Sequence, residues 1–501
     1  MDFTLDEDVR AVHDLAERIL TDRATPERIG KVESGPERVD TDLWADLAGA
    51  GLLGLPIPEE HGGAGLGPAA VCALLEEQGR TVAPVPLWTA AVAALAIGRH
   101  GTAEQRRALL PTQAAGASRT TLALEEYGPH APAEPRCTAV PDGPGWRLAG
   151  EKAAVPSPAG ADHVLVSART GQGNGLFLLP TAADGVRWDP VTTTDRDRAA
   201  ALRLENAPAQ ALGSPGDGTL EHTLDLAATA LAALQLGTAR GALDLAAAHL
   251  AAREQFGRPL ATFQAVQHQL ADCYIGIDAL RVCLWQAVAA LEEERPATSE
   301  ALVAHWWAAR AGTDTVHRVQ HLHGGVGVDV DHPVHRYFLW AKQTAGTLGG
   351  DSATLAALGD TLADRLRTGV RAGDTLPELS LPLTRTFVIA SALATRDYQD
   401  VHHDPDLARA RGSEDVFMNI LTTNGLVERY VTDWAGPAAV LTALRIRLGA
   451  PNLPGDTFVL NGEVTAVHPD RTVEIAVRGT NSRGTHAHGT AVVRLPGKET
   501  P

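Results

Sequence analysis

From residue 1 to about 120, apolar residues recur three and four positions apart, with breaks at Gly51, Pro56, the GGAGLG run from Gly62 to Gly67, and Pro84 to Pro86. That period predicts several helices joined by turns. Between about 121 and 215 the texture changes to the short β-compatible runs TTLALE, WRLAGEKAAV, DHVLVSAR and GLFLLP, divided by Pro, Gly and Asp. A small β-domain is expected there. From Leu220 to about Ala363 long helical patterns return, in HTLDLAATALAALQLGTARGALDLAAAHLAAREQF and FQAVQHQLADCYIGIDALRVCLWQAVAALEEE. Their lengths suit an antiparallel helix bundle.

After Leu366 the Gly and Pro punctuation of RTGVRAGDTLPELSLPLTRTF marks the entrance to another domain, with the boundary near Thr368. An early turn region comes first, then one helix from Asp415 to about Trp434. The alternating runs LTALRIRLG, TFVLNGEVTAV, RTVEIAVRGTN and THAHGTAVVRL follow. One helix and successive antiparallel strands predict a sheet wrapped around that helix. The domain plan is therefore 1–120, 121–215, 216–368 and 369–501.

Composition narrows the functions available. The 501 residues are 44% hydrophobic and 21% charged, which fits a folded, soluble, multidomain chain. A net charge of −18, from 61 acidic and 43 basic residues without a basic patch, excludes a nucleic-acid partner. Cys72, Cys137, Cys273 and Cys283 are far apart and form no C-x-x-C pair, so neither a disulfide framework nor a zinc site is expected. The start, MDFTLDEDVRAVHDLAERIL, is acidic and amphipathic where an export signal is basic and then apolar. The most apolar stretch, Leu224 to Ala247, is interrupted by Asp225, Gln235, Gly237, Arg240 and Asp244 and reads as a buried helix. A cytoplasmic protein without a membrane span is expected.

The motifs REQFGRPLATFQAVQHQLAD (Arg253 to Asp272) and HLHGGVG (His321 to Gly327), together with the domain order, make residues 1 to about 365 resemble the acyl-CoA dehydrogenases. A guanidinium fork suits phosphate oxygens, and paired glycines remove side chains that would block a close approach. The resemblance implies that Arg253, Phe256, Gln264, Gly324 and Gly325 bind the ADP part of an FAD shared with a neighbouring subunit. Two departures stand out. The family's T-E-P and W-I-T/S turns against the flavin ring are replaced by Glu125, Glu126 and Tyr127, and by Ala154, Val155 and Pro156. The catalytic glutamate falls near Ala227 or Leu348, with only the shorter Asp225 and Asp351 close by. Taking an α-proton from a thioester as hydride leaves the β-carbon needs a placed base. This segment thus resembles the non-catalytic half of a heteromeric dehydrogenase of bacterial steroid side-chain breakdown, the other reading being a relic that only scaffolds its neighbour.

Near the start of the last domain, RDYQDVHHDPDLA spaces Asp397 five residues before His402. A carboxylate and an imidazole together can take a proton from water and deliver one to the α-carbon of a 2-enoyl thioester. With that spacing, residues 370 to 495 resemble the MaoC-like hot-dog hydratases, although Gln399–Asp400 replaces the usual Asn-Pro. The resemblance implies an oxyanion donor at the start of the long helix, in DVFMNILTTNGL, where Asn419 replaces the family's glycine. His403 and Asp404 are neighbours able to exchange roles with the pair. His486 and His488, two apart on a strand, are expected on one face, but without a third ligand no metal site is predicted. The string VFMNILTTNGLVERYVTDWAGP is most similar to the hydratases of steroid side-chain degradation. The whole is expected to be an acyl-CoA dehydrogenase fold (helices, small β-domain, helix bundle) followed by a single hot-dog domain. The implied activity is enoyl-CoA hydration by Asp397, His402 and Asn419 on a CoA thioester, with a dehydrogenase partner subunit and a second hot-dog subunit. The alternatives are a hot-dog thioesterase on a dehydrogenase-like scaffold, or a non-enzymatic assembly subunit.

Overall fold

A computed structural model describes residues 6–128, 131–363, 369–436 and 438–496. The chain divides into two compact units, 1–359 and 360–501; the boundary expected near Thr368 lies outside the described residues.

Unit 1 opens with six helices, α1 (Glu7–Arg23), α2 (Pro26–Ser34), α3 (Thr41–Gly49), α4 (Pro68–Thr81), α5 (Leu87–His100) and α6 (Ala103–Ala114). Their starts are legible: Asp6, Thr25, Asp40 and Thr102 each accept a first-turn N–H, as N-cap residues do. Seven strands follow: β1 (Thr120–Ala123), β2 (Thr138–Asp142), β3 (Gly145–Val155), β4 (His163–Thr170), β5 (Gly173–Pro180), β6 (Val186–Pro190) and β7 (Ala200–Leu212). Pairing runs from β4 through β2, β3, β7 and β5 back to β4, closing a small barrel around Leu148, Val164, Phe177 and Leu202.

The bundle begins with α7 (Thr219–Ala252), which ends at the short hairpin β8 (Glu254–Gln255) and β9 (Arg258–Pro259). Then come α8 (Gln264–Glu292), α9 (Thr298–Trp307), α10 (Thr313–His323), α11 (Val334–Gly346) and α12 (Gly350–Ala363). By length and apolarity α8 alone among the described helices would suit a membrane span. It buries Cys273, Ile277, Leu280, Leu284 and Leu291 against its neighbours, as a bundle helix does.

Unit 2 comprises β10 (Thr375–Pro382), α13 (Arg385–Ala394), α14 (Pro405–Ala410), α15 (Ile420–Ala435), β11 (Val440–Leu448), β12 (Thr457–Val467), β13 (Thr472–Asn481) and β14 (Gly484–Arg494). Its antiparallel sheet has the order β10-β12-β13-β14-β11, and α15 packs on it through Val427, Tyr430, Val431 and Trp434. The stretch expected as early turns holds β10 and two short helices, and the long helix starts at Ile420 rather than Asp415, because Asn419 caps it there.

Inside the barrel, Lys152 is 0% exposed. Its Nζ donates to Glu126 Oε1 at 2.7 Å and to Ser167 Oγ at 2.8 Å. Removing one member of such a pair strands a buried charge, at a cost of about 3–5 kcal/mol. Lys152→Met is therefore expected to destabilise unit 1 by about 3 kcal/mol, and adding Glu126→Gln to restore most of the loss. Thermal unfolding of the single and double variants checks this, and a double variant no better than the single one would refute it.

Candidate functional site

In unit 2 three helix ends meet. The end of α13 is closed by Arg396 in the left-handed region at φ 55°, and the Asp397 N–H returns to Ala392 O at 2.9 Å. This is a Schellman closure with arginine where glycine is usual. It presents the Asp397 side chain to His402, which ends a short 3₁₀ turn, Asp400–His402. Their closest atoms, Oδ2 and Nε2, are 3.4 Å apart. His402 is 5% exposed, packs edge-on against Phe417 and has Nδ1 2.7 Å from the Phe417 carbonyl. A carbonyl only accepts, so Nδ1 carries a proton and Nε2 is the ring atom turned to the carboxylate.

Asn419 is 2% exposed and works from the third helix end. Its Oδ1 accepts from Thr422 N at 2.8 Å, capping α15, while its Nδ2 donates to Asp397 Oδ2 at 3.1 Å and Thr395 Oγ1 at 2.9 Å. The side chain is thus a cap and a brace for Asp397. The N–H groups of Ile420 and Leu421, in the first turn, have no protein partner among the described residues. His403 points elsewhere, to Tyr398 O at 3.2 Å, and Asp404 caps α14. The shared face expected for His486 and His488 is corrected. Pairing steps from Thr480↔Thr485 to Gly479↔Ala487, so His486 bulges out of register; it is buried and His488 exposed. His486 Nδ1 faces Ala450 O at 2.7 Å and Nε2 faces Thr423 Oγ1 at 3.0 Å, and burial lowers its pKa.

Unit 1 holds a cleft lined by Ile29, Trp88, Leu231, Leu234 and Trp340 and by Glu125, Asp195, Ala154 and Pro156. Neither suggested base position carries an acid: Ala227 is buried within α7, and Leu348 sits in a left-handed turn at φ 60°. Glu125 Oε1 instead accepts from Leu348 N at 2.9 Å, bridging the β-domain and the bundle. Enclosure pushes the Glu125 carboxyl up to about 7. Burial and the neighbouring Asp197 push Asp195 up to about 6. Asp225 is bound to Thr298 Oγ1 at 2.9 Å and Asp351 to Ser352 N at 2.7 Å, and neither lines the cleft.

The five residues expected to hold FAD lie at adjoining ends of the bundle. Arg253 ends α7, Phe256 is 91% exposed in the β8–β9 turn, and Gln264 opens α8. Arg253 and Gln264 make no side-chain bond among the described residues. Gly324 turns the chain at φ 63°, and a Cβ added at Gly324 or Gly325 meets nothing within 4 Å. Uncommitted donors beside an open glycine turn fit a diphosphate approaching from outside.

Comparison with known proteins gives a consistent result. Family models for the acyl-CoA dehydrogenase N-terminal and C-terminal domains match residues 6–117 and 216–360. Acyl-CoA dehydrogenase FadE27 of Mycobacterium tuberculosis is 36% identical over 73% of this chain and 99% of its own. The 3-oxo-4,17-pregnadiene-20-carboxyl-CoA hydratase beta subunit of the same organism is 54% identical over 123 residues, 25% of this chain and 93% of its own. Among solved structures, a Tcur3481-Tcur3483 steroid ACAD variant shares 59% identity at a TM-score of 0.70, covering 72% of this chain and 99% of that one. The ChsE4-ChsE5 complex of M. tuberculosis shares 36% at 0.69, covering 74% and 100%.

The elevated Glu125 carboxyl makes the stability of unit 1 depend on pH. Its folded value of about 7 exceeds the ordinary 4.5, so the folded state binds the proton more tightly. Stability conferred by the protonated form is lost as pH rises between those values. Glu125→Gln keeps an acceptor for Leu348 N and cannot ionise. It is expected to match wild type near pH 5 and to exceed it near pH 8 by about 2 kcal/mol. Thermal unfolding across that range checks the sign; a variant equally or less stable at both ends would be contrary.

Proposed function

Because the chain belongs to the acyl-CoA dehydrogenase family, we propose that unit 1 is the non-catalytic subunit of a heteromeric dehydrogenase and that unit 2 is a MaoC-like hot-dog enoyl-CoA hydratase. The observation that carries the second half is the enclosed Asp397–His402 pair, braced by Asn419 at the start of α15. The hydratase beta subunit, similar over 123 residues, supports it. The long helix against a five-stranded antiparallel sheet also suits a hot-dog.

In this reading a water lies between Asp397 Oδ2 and His402 Nε2 and donates to both. Proton loss to the pair accompanies attack on the β-carbon, and the same pair returns a proton to the α-carbon. The thioester oxygen gains charge meanwhile and is met by the Ile420 and Leu421 N–H groups, where the helix dipole favours an anion. Asn419 acts through Asp397 and through the cap.

In unit 1, Arg253, Phe256, Gln264 and the Gly324–Gly325 turn would hold the ADP part of a shared FAD, which when bound supplies the hydride acceptor for desaturation. The partner would bring the missing base and the flavin-ring loops; the similar Tcur3481-Tcur3483 and ChsE4-ChsE5 proteins each pair two components. A second hot-dog subunit would complete the hydratase. Desaturation makes the 2-enoyl thioester that hydration consumes, so tethering raises its local concentration. The names of the relatives point to a polycyclic acyl group.

Asp397→Asn and His402→Ala are each expected to lower hydration by about 100-fold or more. Near wild-type rates in both folded variants would remove the assignment, and free-thiol release in place of hydration would favour a thioesterase. A polycyclic enoyl-CoA should exceed crotonyl-CoA in kcat/KM; the reverse order would remove the steroid assignment alone.

The purified chain is expected not to oxidise acyl-CoA, and a glutamate-bearing partner to restore yellow colour and turnover. Stoichiometric FAD with turnover in the isolated chain would overturn the shared-cofactor reading.

A further inference from the structure

The ends of α7 and α10 meet through a run of imidazoles. His249, one turn before Arg253, stacks on His323 with centroids 4.6 Å apart and planes 22° from parallel. His323 is the last residue before the Gly324–Gly325 turn, and its ring lies 5.2 Å from that of His332. Its Nδ1 donates to Val319 O at 2.8 Å, and its Nε2 is buried without a partner. The residue is only 5% exposed. This is not a metal arrangement: among the described residues, the one set of three or more converging His, Cys, Asp or Glu ligands is His13, Asp14 and Glu17.

We propose that the His249–His323–His332 stack positions a diphosphate held between Arg253 and the Gly324–Gly325 turn, and that binding the dinucleotide draws a proton onto the stack. The proposal rests on the shared-FAD reading above and goes beyond it by naming residues outside the expected set.

Without an anion His249 and His332 resist protonation. Burial, followed by His323, His332 and Arg253, lowers the pKa of His249; burial, His323 and His335 lower that of His332 against the opposing Asp329. The other charged groups on the same short segments are Asp331 and, from the hairpin, Glu254 and Arg258. A doubly charged diphosphate beside these rings offsets the mutual repulsion and favours the imidazolium. The dinucleotide's diphosphate diester has no proton to lose near neutrality, so uptake must come from the protein. The stack then titrates higher in the bound state, and affinity falls as pH rises through that value.

The test uses the chain co-purified with its dehydrogenase partner, stripped of FAD and titrated with FAD by flavin fluorescence between about pH 6 and pH 8. Calorimetry in two buffers of different ionisation enthalpy counts the protons taken up. In the wild-type complex Kd should rise several-fold over that range, by at most about tenfold per pH unit for one coupled proton. His249→Phe keeps a stacked ring that cannot titrate, so it should flatten the dependence and lower the uptake; His332→Phe gives the same reading if that variant does not fold. Arg253→Ala should weaken FAD at every pH across the range. FAD binding with a flat wild-type profile, or with the slope and uptake unchanged in the folded phenylalanine variants, overturns the proposal. No FAD binding at any pH overturns the shared-cofactor reading and this inference with it.

Discussion

The arrangement of unit 1 depends on how closely α4 and α7 approach. A Cβ at Gly237 would lie 1.8 Å from Glu76 O, and one at Gly79 would lie 2.0 Å from Leu234 O. Only hydrogen fits at either place, so the helices cross backbone against backbone. Gly241 makes a third such contact, with a Cβ position 2.2 Å from Arg80 O and 2.5 Å from the Tyr337 ring of α11. The ion pair of Arg240 with Glu76 and the 2.5 Å bond from Arg80 to Glu77 flank the crossing. With this axis fixed, the middle of α7 contributes Leu231 and Leu234 to the cleft, and its end presents His249 and Arg253 beside the glycine turn. The cleft wall and the His249–Arg253 end are two stations on one helix.

Two adjacent glutamates show how the β-domain wall of that cleft is set. Burial opposes ionisation of Glu126, but the Cys137 N–H and the Lys152 ammonium outweigh it and lower its pKa. Glu125 receives backbone N–H groups and no cation, and it titrates far above its ordinary range. The first fixes the loop through a buried ion pair; the second reaches from that loop to Leu348. In the family's reaction an acyl chain must lie between flavin and base. Here a carboxyl with a backbone bond spans from one wall to the other, and the expected base positions offer alanine and leucine. The departures from that arrangement therefore lie on both sides of the contact between β-domain and bundle.

Legibility in the sequence followed the range of the interactions. Strands β3 and β11 to β14 were readable because alternation is local, and β4 and β5 as short apolar runs bounded by turn residues, as were the long helices of the bundle. The five-residue spacing of Asp397 and His402 gave their proximity, now 3.4 Å, and the motifs around Arg253 and Gly324–Gly325 fall at the ends of α7 and α10. The two short helices before α15 were missed, since ten and six residues give too few turns for a period to emerge. The bulge at His486 was missed because one extra residue inverts the alternation without leaving a sign in composition. The Glu125–Leu348 bond joins positions 223 residues apart, and the brace from Asn419 to Asp397 joins positions 22 apart. No window along the chain holds either. The histidine stack was overlooked for the same reason: its members look like unrelated polar positions until α7 and α10 are packed.

The Asp397–His402 pair shows how a carboxylate and an imidazole can be fixed by helix ends. A helix interior satisfies its own backbone and offers only side chains, whereas each end leaves carbonyls or N–H groups that fix whatever bonds to them. The end of α13 sets Asp397 through its N–H, the Phe417 carbonyl just before α15 sets the proton on His402 Nδ1, and the start of α15 holds Asn419 by its capping bond. Asn419 suits this place better than a serine or aspartate cap, because it accepts from Thr422 N with one atom and donates to Asp397 with the other. An aspartate would set a second negative charge against the first. A serine reaches the cap but has one short hydroxyl for both tasks. The same residue thus starts the helix and fixes the carboxylate that faces the imidazole, so the helix cap and the pair share a single side chain.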